Sequence, residues 1–187
     1  TQLKNQDPTS PMDSSQMTSQ LAQINTVTGI SQLNTSLTSL ASQLAAGQNA
    51  QTSLLIGQNV LVPGNTATVS SGSSSGFGFT LSQAVTDLKV TIKDSSGNVV
   101  NSVDLGAQAA GTVPVGWTPT DASGNTLPDG TYTISAQGTT SAGTSATGIT
   151  TLTGQQVVSV VQQSSGKQGL LLRNGTTVDS TSVAAIL

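Results

Sequence analysis

The apolar side chains of this chain change their spacing once, and the change falls near residue 50. Met17, Leu21, Ile24, Val27, Ile30, Leu33, Leu37, Leu40 and Leu44 recur at three- and four-residue steps, the spacing of a helix face. From Ile30 the steps run 3, 4, 3, 4, which is a heptad seam. Between Ile24 and Leu33 they run 3, 3, 3, so the stripe slips, and Gly29 sits in the slip. The spacing therefore predicts two amphipathic helical segments with a break near Gly29. Pro8 and Pro11 oppose helix before them, and Asp13, Ser14 or Ser15 is the expected cap. The other face is Ser, Thr, Gln and Asn, with no charged residue between Asp13 and Asp87. Such a helix lacks internal ion pairs and strong propensity. It cannot bury its stripe alone, so it needs a partner.

Beyond a small-residue linker at 45–52 the period shortens. Leu54–Gly57 and Val60–Val62 before Pro63-Gly64 read as strand, and 70–76 (SSGSSSG) reads as an exposed loop. Leu88/Val90/Ile92, Val99–Leu105, Val113/Val115/Trp117 and Tyr132/Ile134/Ala136 read as strands, as does a segment within Thr144–Leu152. Turns at 94–98 and 120–130 separate them. Evenly spaced strands of this kind predict a small immunoglobulin/fibronectin-like sandwich, with Trp117 at its centre and Tyr132 in its core or at a corner. Residues 155–163, a turn at 164–169 and a strand over 169–178 follow, and Ser182–Leu187 reads as a terminal strand or helical turn. These few strands cannot form a core alone. They predict a small β-barrel built from 53–76 and 154–187, with the sandwich of 77–153 inserted and 1–52 as an N-terminal region.

The composition excludes much chemistry. The chain has 187 residues with neither Cys nor His, which removes the usual ligands of zinc, haem and iron–sulfur centres and the commonest acid–base catalyst. Five basic against eight acidic residues give a net charge of −3, too few cations for a nucleic-acid footprint. Apolar runs reach about five residues against the roughly 20 a membrane-spanning helix needs. Ser and Thr number 56 and Glu is absent, a surface suited to an exported protein. Neither a cofactor nor a metal is expected. Asp121, Asn125 and Asp129 carry oxygen ligands, but their spacing with Gly124 and Gly130 is that of tight turns. Ser–Lys nucleophilic chemistry would have to draw on Lys89, Lys93 or Lys167, and no motif accompanies them.

Two groups of residues carry a family resemblance. Leu3-Lys-Asn-Gln-Asp-Pro8, Pro11-Met12, Gln20–Ile24 and Thr26–Ile30 resemble the N-terminal signature of the flagellar hook-capping family. Leu55-Ile-Gly57 with Val60 and Val62–Gly64 resembles the first strand of that family's tudor-like barrel. Gly97–Val100, Ala110-Gly111, Trp117 and Gly124–Tyr132 resemble its inserted immunoglobulin-like domain. Thr118-Pro119 stands where the family usually has Asp-Gly after its tryptophan. The resemblance implies residues preceding Thr1 and export through the flagellar type III apparatus without a cleaved signal. It also implies a homo-oligomer, a pentamer in the family, at the distal end of the hook, ordering the addition of hook protein. The expected self-association residues are Met17, Leu21, Ile24, Ile30, Leu33, Leu37, Leu40 and Leu44. A secreted immunoglobulin-like adhesin is the alternative, and an enzyme a third.

Overall fold

The computed structural model describes residues 12–163 and 167–187. The expectations for Leu3–Pro8, Pro11 and residues 164–166 lie outside them. The chain divides into two compact units, Thr1–Ala50 and Gln51–Leu187.

The first unit is built on one helix, α1, running unbroken over Met12–Ser53. This corrects three expectations: the helix starts before its expected cap, has no break at Gly29, and absorbs the expected linker. The physical reason lies in the backbone. An isolated glycine costs only about 1 kcal/mol in a helix, and elongation is cooperative once a helix exists. The polar residues also cooperate. Ser19, Thr26, Thr35, Ser36, Thr38 and Ser42 each donate a hydroxyl to the carbonyl four residues earlier, at 2.8–3.0 Å. That bond lets Ser and Thr sit inside a helix with their polar group satisfied. At about 1.5 Å per residue the helix is roughly 63 Å long.

The helix does not pass straight into a strand. Leu54, Leu55 and Ile56 donate to carbonyls three residues back, and Gly57 closes the turn at φ +85°. Residues 54–57, expected as strand, are thus the unwinding end of the helix, and the strand starts at Asn59.

The second unit is β. Its strands are β1 (Asn59–Pro63), β2 (Thr66–Ser70), β3 (Ser73–Ser74), β4 (Phe77–Leu81), β5 (Asp87–Lys93) and β6 (Val99–Asp104). They continue with β7 (Gly111–Val115), β8 (Gly130–Thr139), β9 (Ile149–Gln162), β10 (Gln168–Leu172), β11 (Thr177–Asp179) and β12 (Ala185–Ile186). A 3₁₀ turn at Ser180–Ser182 precedes β12, so the C-terminus contains both a turn and a strand. Two corrections fall here. The strands expected within 144–152 and over 155–163 are one strand, β9. The strand expected over 169–178 is two, β10 and β11, joined by a turn at Gly175.

One sheet runs β3-β2-β8-β5-β6. The other runs β11-β10-β9-β1-β12, with β4 also on β9 and β7 on β4. All pairings are antiparallel. Strand β9 serves two modules: Ile149–Thr153 pairs with β4, and Val157–Gln162 pairs with β10. Its first part, β4 and β7 face the five-stranded sheet across a core of Phe77, Phe79, Leu88, Val90, Ile92 and Ile134. This is the immunoglobulin-like sandwich. Its second part joins β1, β10, β11 and β12 around Val60, Val62, Val157, Leu170 and Leu172, a tudor-like half-barrel. Residues 70–76, expected as a loop, form the β2–β3 hairpin, and β2 pairs with β8 of the sandwich.

The two phenylalanines hold the centre of the sandwich, fully buried and edge-to-face at 5.8 Å. Trp117 is half-buried and packs at their flank, tilted 6.1 Å from Phe77 and edge-on 5.8 Å from Tyr132. It is therefore not the central residue expected from the sequence. Its site lies just beyond the end of β7 (Gly111–Val115), so the ring packs against the edge of the core from a connecting segment rather than from within a sheet. Tyr132 does make a corner: its hydroxyl donates to the Pro128 carbonyl at 2.8 Å.

Candidate functional site: the exposed helix

Every apolar side chain of the expected self-association set is exposed. Exposure runs from 53% at Ile30 to 67% at Met17, and Val27 is also 67% exposed. The structure does not bring them onto one face. Each three-residue step falls about 60° short of a full turn, so three in succession carry the stripe about 180° round the axis. Because the helix is unbroken, Met17, Leu21 and Ile24 lie on one face. Ile30, Leu33, Leu37, Leu40 and Leu44 lie on the opposite one, with Val27 between. The slip that suggested a break is instead a switch of face. Only the longer stripe has heptad spacing over two full repeats, with Ile30, Leu37 and Leu44 at one core position and Leu33 and Leu40 at the other.

The second unit contributes ordered polar loops. Asp94-Ser-Ser-Gly-Asn98 and Asp121-Ala-Ser-Gly-Asn125 are the same device used twice. In each, one aspartate oxygen accepts from the backbone N–H two and four residues on, at 2.8–2.9 Å. The other accepts from the asparagine amide, at 3.2 Å in the first loop and 2.9 Å in the second. Gly97 and Gly124 take φ +85° and +87°, conformations open to glycine without strain. The sequence carries the repeat as Asp-X-Ser-Gly-Asn, and the shared spacing is its only signal. Bonds from the Asn98 N–H and amide hold the Asp94 carboxyl below its ordinary value of 3.8. The Asn125 amide and N–H do the same for Asp121. The expected turn reading of 120–130 accounts for this carboxylate fully. Asp129 lies apart, accepting from the Ser71 N–H at 2.9 Å. No group of three or more acidic ligands is gathered among the described residues. Lys167, one of the lysines considered for nucleophilic chemistry, pairs with Asp179 at 3.6 Å.

The fold thus defines a protein of one long, uncovered helix and a two-module β unit. Comparison with known proteins gives the family. Residues 1–39 match the family model described as "Flagellar hook capping protein - N-terminal region", and 64–142 match "FlgD Ig-like domain". The chain is 37% identical over 184 residues to the basal-body rod modification protein FlgD of Salmonella typhimurium, covering 94% of this chain and 76% of that protein. It is 44% identical over 140 residues to the Escherichia coli FlgD, covering 71% of this chain and 61% of that one. A crystal structure of FlgD from Xanthomonas campestris superposes with a TM-score of 0.61 at 30% identity, over 75% of this chain and 99% of that one. The structure from P. aeruginosa gives 0.55 at 31%, over 69% and 96%. The chain belongs to the FlgD family of flagellar hook-capping proteins.

Proposed function

We propose that the chain acts as a non-enzymatic cap at the distal tip of the growing flagellar hook, exported through the type III apparatus, where it orders the addition of hook protein. In this reading 1–52 is the assembly region. The half-barrel and the sandwich are outer modules bearing on hook subunits, with β2 and β3 going with the sandwich because β2 pairs with β8. The protein works as a homo-oligomer, a pentamer by family resemblance. The observation that carries the reading is the uncovered heptad seam of Ile30, Leu33, Leu37, Leu40 and Leu44. Covering such a side chain stabilises by on the order of 1–2 kcal/mol, and copies of a helix free of charge from 14 to 53 bring no repulsion to the contact. The adhesin alternative is not favoured, since the N-terminal match belongs to hook-capping proteins.

The face switch sharpens the mechanism. When the longer stripe faces the axis of a helix bundle, Met17, Leu21 and Ile24 point away from it. Leu37→Asp or Leu40→Asp is expected to abolish ring formation, seen by electron microscopy and sedimentation, while the β unit melts as before. Leu21→Asp is expected to leave rings intact and to impair hook elongation. Rings formed by Leu37→Asp would overturn the role of the seam.

A further inference from the structure

We infer that the β unit carries a recognition cleft for a carboxylate, read by Arg173 and Gln155 where β9 passes from one module to the other. The inference stands apart from the hook-cap reading. The cleft is about 510 Å³ and is lined by Gln155, Gln156, Arg173, Asn59, Asn174 and the serines of the β2–β3 hairpin.

Arg173 is the only arginine of the chain. The one ion pair among the described residues is that of Lys167 and Asp179, so Arg173 has no acidic partner there. Its guanidinium is nevertheless held in place. Nε donates to Gln156 Oε1 at 3.0 Å, and Nη2 donates to the same oxygen. Gln156 is fixed in turn by its Nε2, which donates to the Gly57 carbonyl at 3.1 Å. A guanidinium has five N–H donors. Two are spent on one neutral oxygen, and the rest remain with the full charge.

Gln155 is the second, independent sign. It is only 8% exposed, lines the cleft, and its side-chain amide makes no hydrogen bond among the described residues. Its amide keeps access to solvent, since Trp117 Nε1 is the one fully buried side-chain polar atom without a partner among the described residues, so a ligand in the cleft can reach it. Asn174 adds a donor: its Oδ1 accepts from the Thr176 N–H at 3.0 Å, and its Nδ2 makes no hydrogen bond among the described residues. The cleft therefore offers one oriented positive charge and a surplus of donors, with no acidic side chain in its lining. That matches a singly charged, planar carboxylate, which an arginine binds through parallel N–H bonds. A phosphate dianion would call for further cations, and none of the lysines lines the cleft. No aromatic ring lines it to stack on a base.

The carboxylate can come from an acidic side chain or from a chain terminus. An NMR-monitored titration of the full chain separates these sources. The probes are N-acetylglutamate N-methylamide and acetyl-triglycine, with N-acetylglutamine N-methylamide and acetyl-triglycine amide as neutral controls. Saturable shifts are expected at the Arg173 Nε–H and the Gln155 side-chain amide with a carboxylate probe, and the tighter probe names the source. Arg173→Gln is expected to weaken binding about tenfold or more. Gln155→Leu keeps the volume and is expected to weaken binding without lowering the melting temperature. Absence of saturable shifts, an equal response to the neutral controls, or unchanged affinity in both variants would overturn the inference.

Discussion

Two leucines in this protein have opposite surroundings. Leu37 in the helix is 63% exposed, and Leu88 in β5 is fully buried between the sheets of the sandwich. The β unit has covered its apolar surface within itself, while the helix holds its shape by backbone and hydroxyl bonds and leaves that surface open. One region is finished by folding; the other, in the proposed function, is completed by a partner. The same change made in both separates the two conditions. Leu88→Ala is expected to cost about 3–5 kcal/mol, a lost transfer term plus a cavity, read as a steep fall in the melting temperature of the β unit. Leu37→Ala is expected to move the isolated chain by less than about 0.5 kcal/mol and to weaken self-association instead. A large loss of monomer stability with Leu37→Ala would break the comparison, because it would mean that the side chain is already covered.

The covered region can also be tested where backbone meets backbone. A Cβ on Gly154 would sit 1.9 Å from the Ser75 carbonyl oxygen. One on Gly78 would sit 2.8 Å from the Val113 carbonyl and 2.9 Å from Leu61 Cδ1. Neither backbone oxygen can step aside without moving its strand. Gly154→Ala is expected to cost about 1–3 kcal/mol, measured by urea unfolding. Gly29→Ala, in open space on the helix, is expected to stabilise by somewhat less than about 1 kcal/mol. Opposite signs for one substitution in the two regions sharpen the contrast. A neutral Gly154→Ala would show that β9 and the β2–β3 hairpin are not locked together.

How far the sequence carried this picture depends on the kind of signal. Alternation at Leu88, Val90 and Ile92, and the turn at 94–98, located the sandwich strands because one face of each is buried. The hairpin at 70–76 stayed hidden because serine and glycine carry no apolar alternation, and β2–β3 is held by pairing and by the Ser75 hydroxyl accepting from the Thr68 N–H. Strand β9 reads as two in the sequence because Gly154 interrupts its pattern, yet that glycine is where Ser75 approaches. Val60, Leu61 and Val62 showed no alternation because β1 is buried on both faces. In the helix, the positions of the stripe residues were legible but their faces were not. The slip at 24–33 means a break if the backbone yields and a switch of face if it does not, and side-chain spacing alone carries no information about which. The Arg173–Gln155 cleft gave no sequence signal, since its residues come from four separate stretches of the chain.

The corner at Tyr132 offers a smaller test. Its ring is buried and its hydroxyl donates to Pro128 at 2.8 Å, so Tyr132→Phe removes one hydrogen bond and keeps the packing. The expected cost is about 1 kcal/mol, seen in the β unit's melting curve with helix content unchanged. An unaltered melt would mean that water replaces the phenol at no cost and that ring packing alone makes the corner.

The smallest expected effect is that of acid, and it falls on the β unit. Hydrogen bonds from Asn98, Asn125 and Thr181 hold Asp94, Asp121 and Asp179 below the ordinary 3.8, and the Gly106 N–H does the same for Asp104. A carboxyl lowered in the folded state binds its proton more weakly there than in the unfolded chain. Its contribution is present above the unfolded value and is lost as pH falls through the folded one. Asp87 runs the other way: the hydrogen bond it shares with Asp104 raises it, so protonation there favours the fold. Four lowered carboxyls against one raised predict a net loss of stability below about pH 4. Asp104 is exposed and the other four are half-buried at the surface, where solvent still screens them, so the loss is modest and reduced by salt. Helical residues 14–53 contain no titratable side chain, so the helix signal is expected to stay level over the window in which the β unit weakens. Replacing Asp94 and Asp121 together by Asn should flatten the acid limb of the β unit's melting curve. An acid limb of unchanged steepness in that double variant would assign the loss to other carboxyls and remove the two loops from the account.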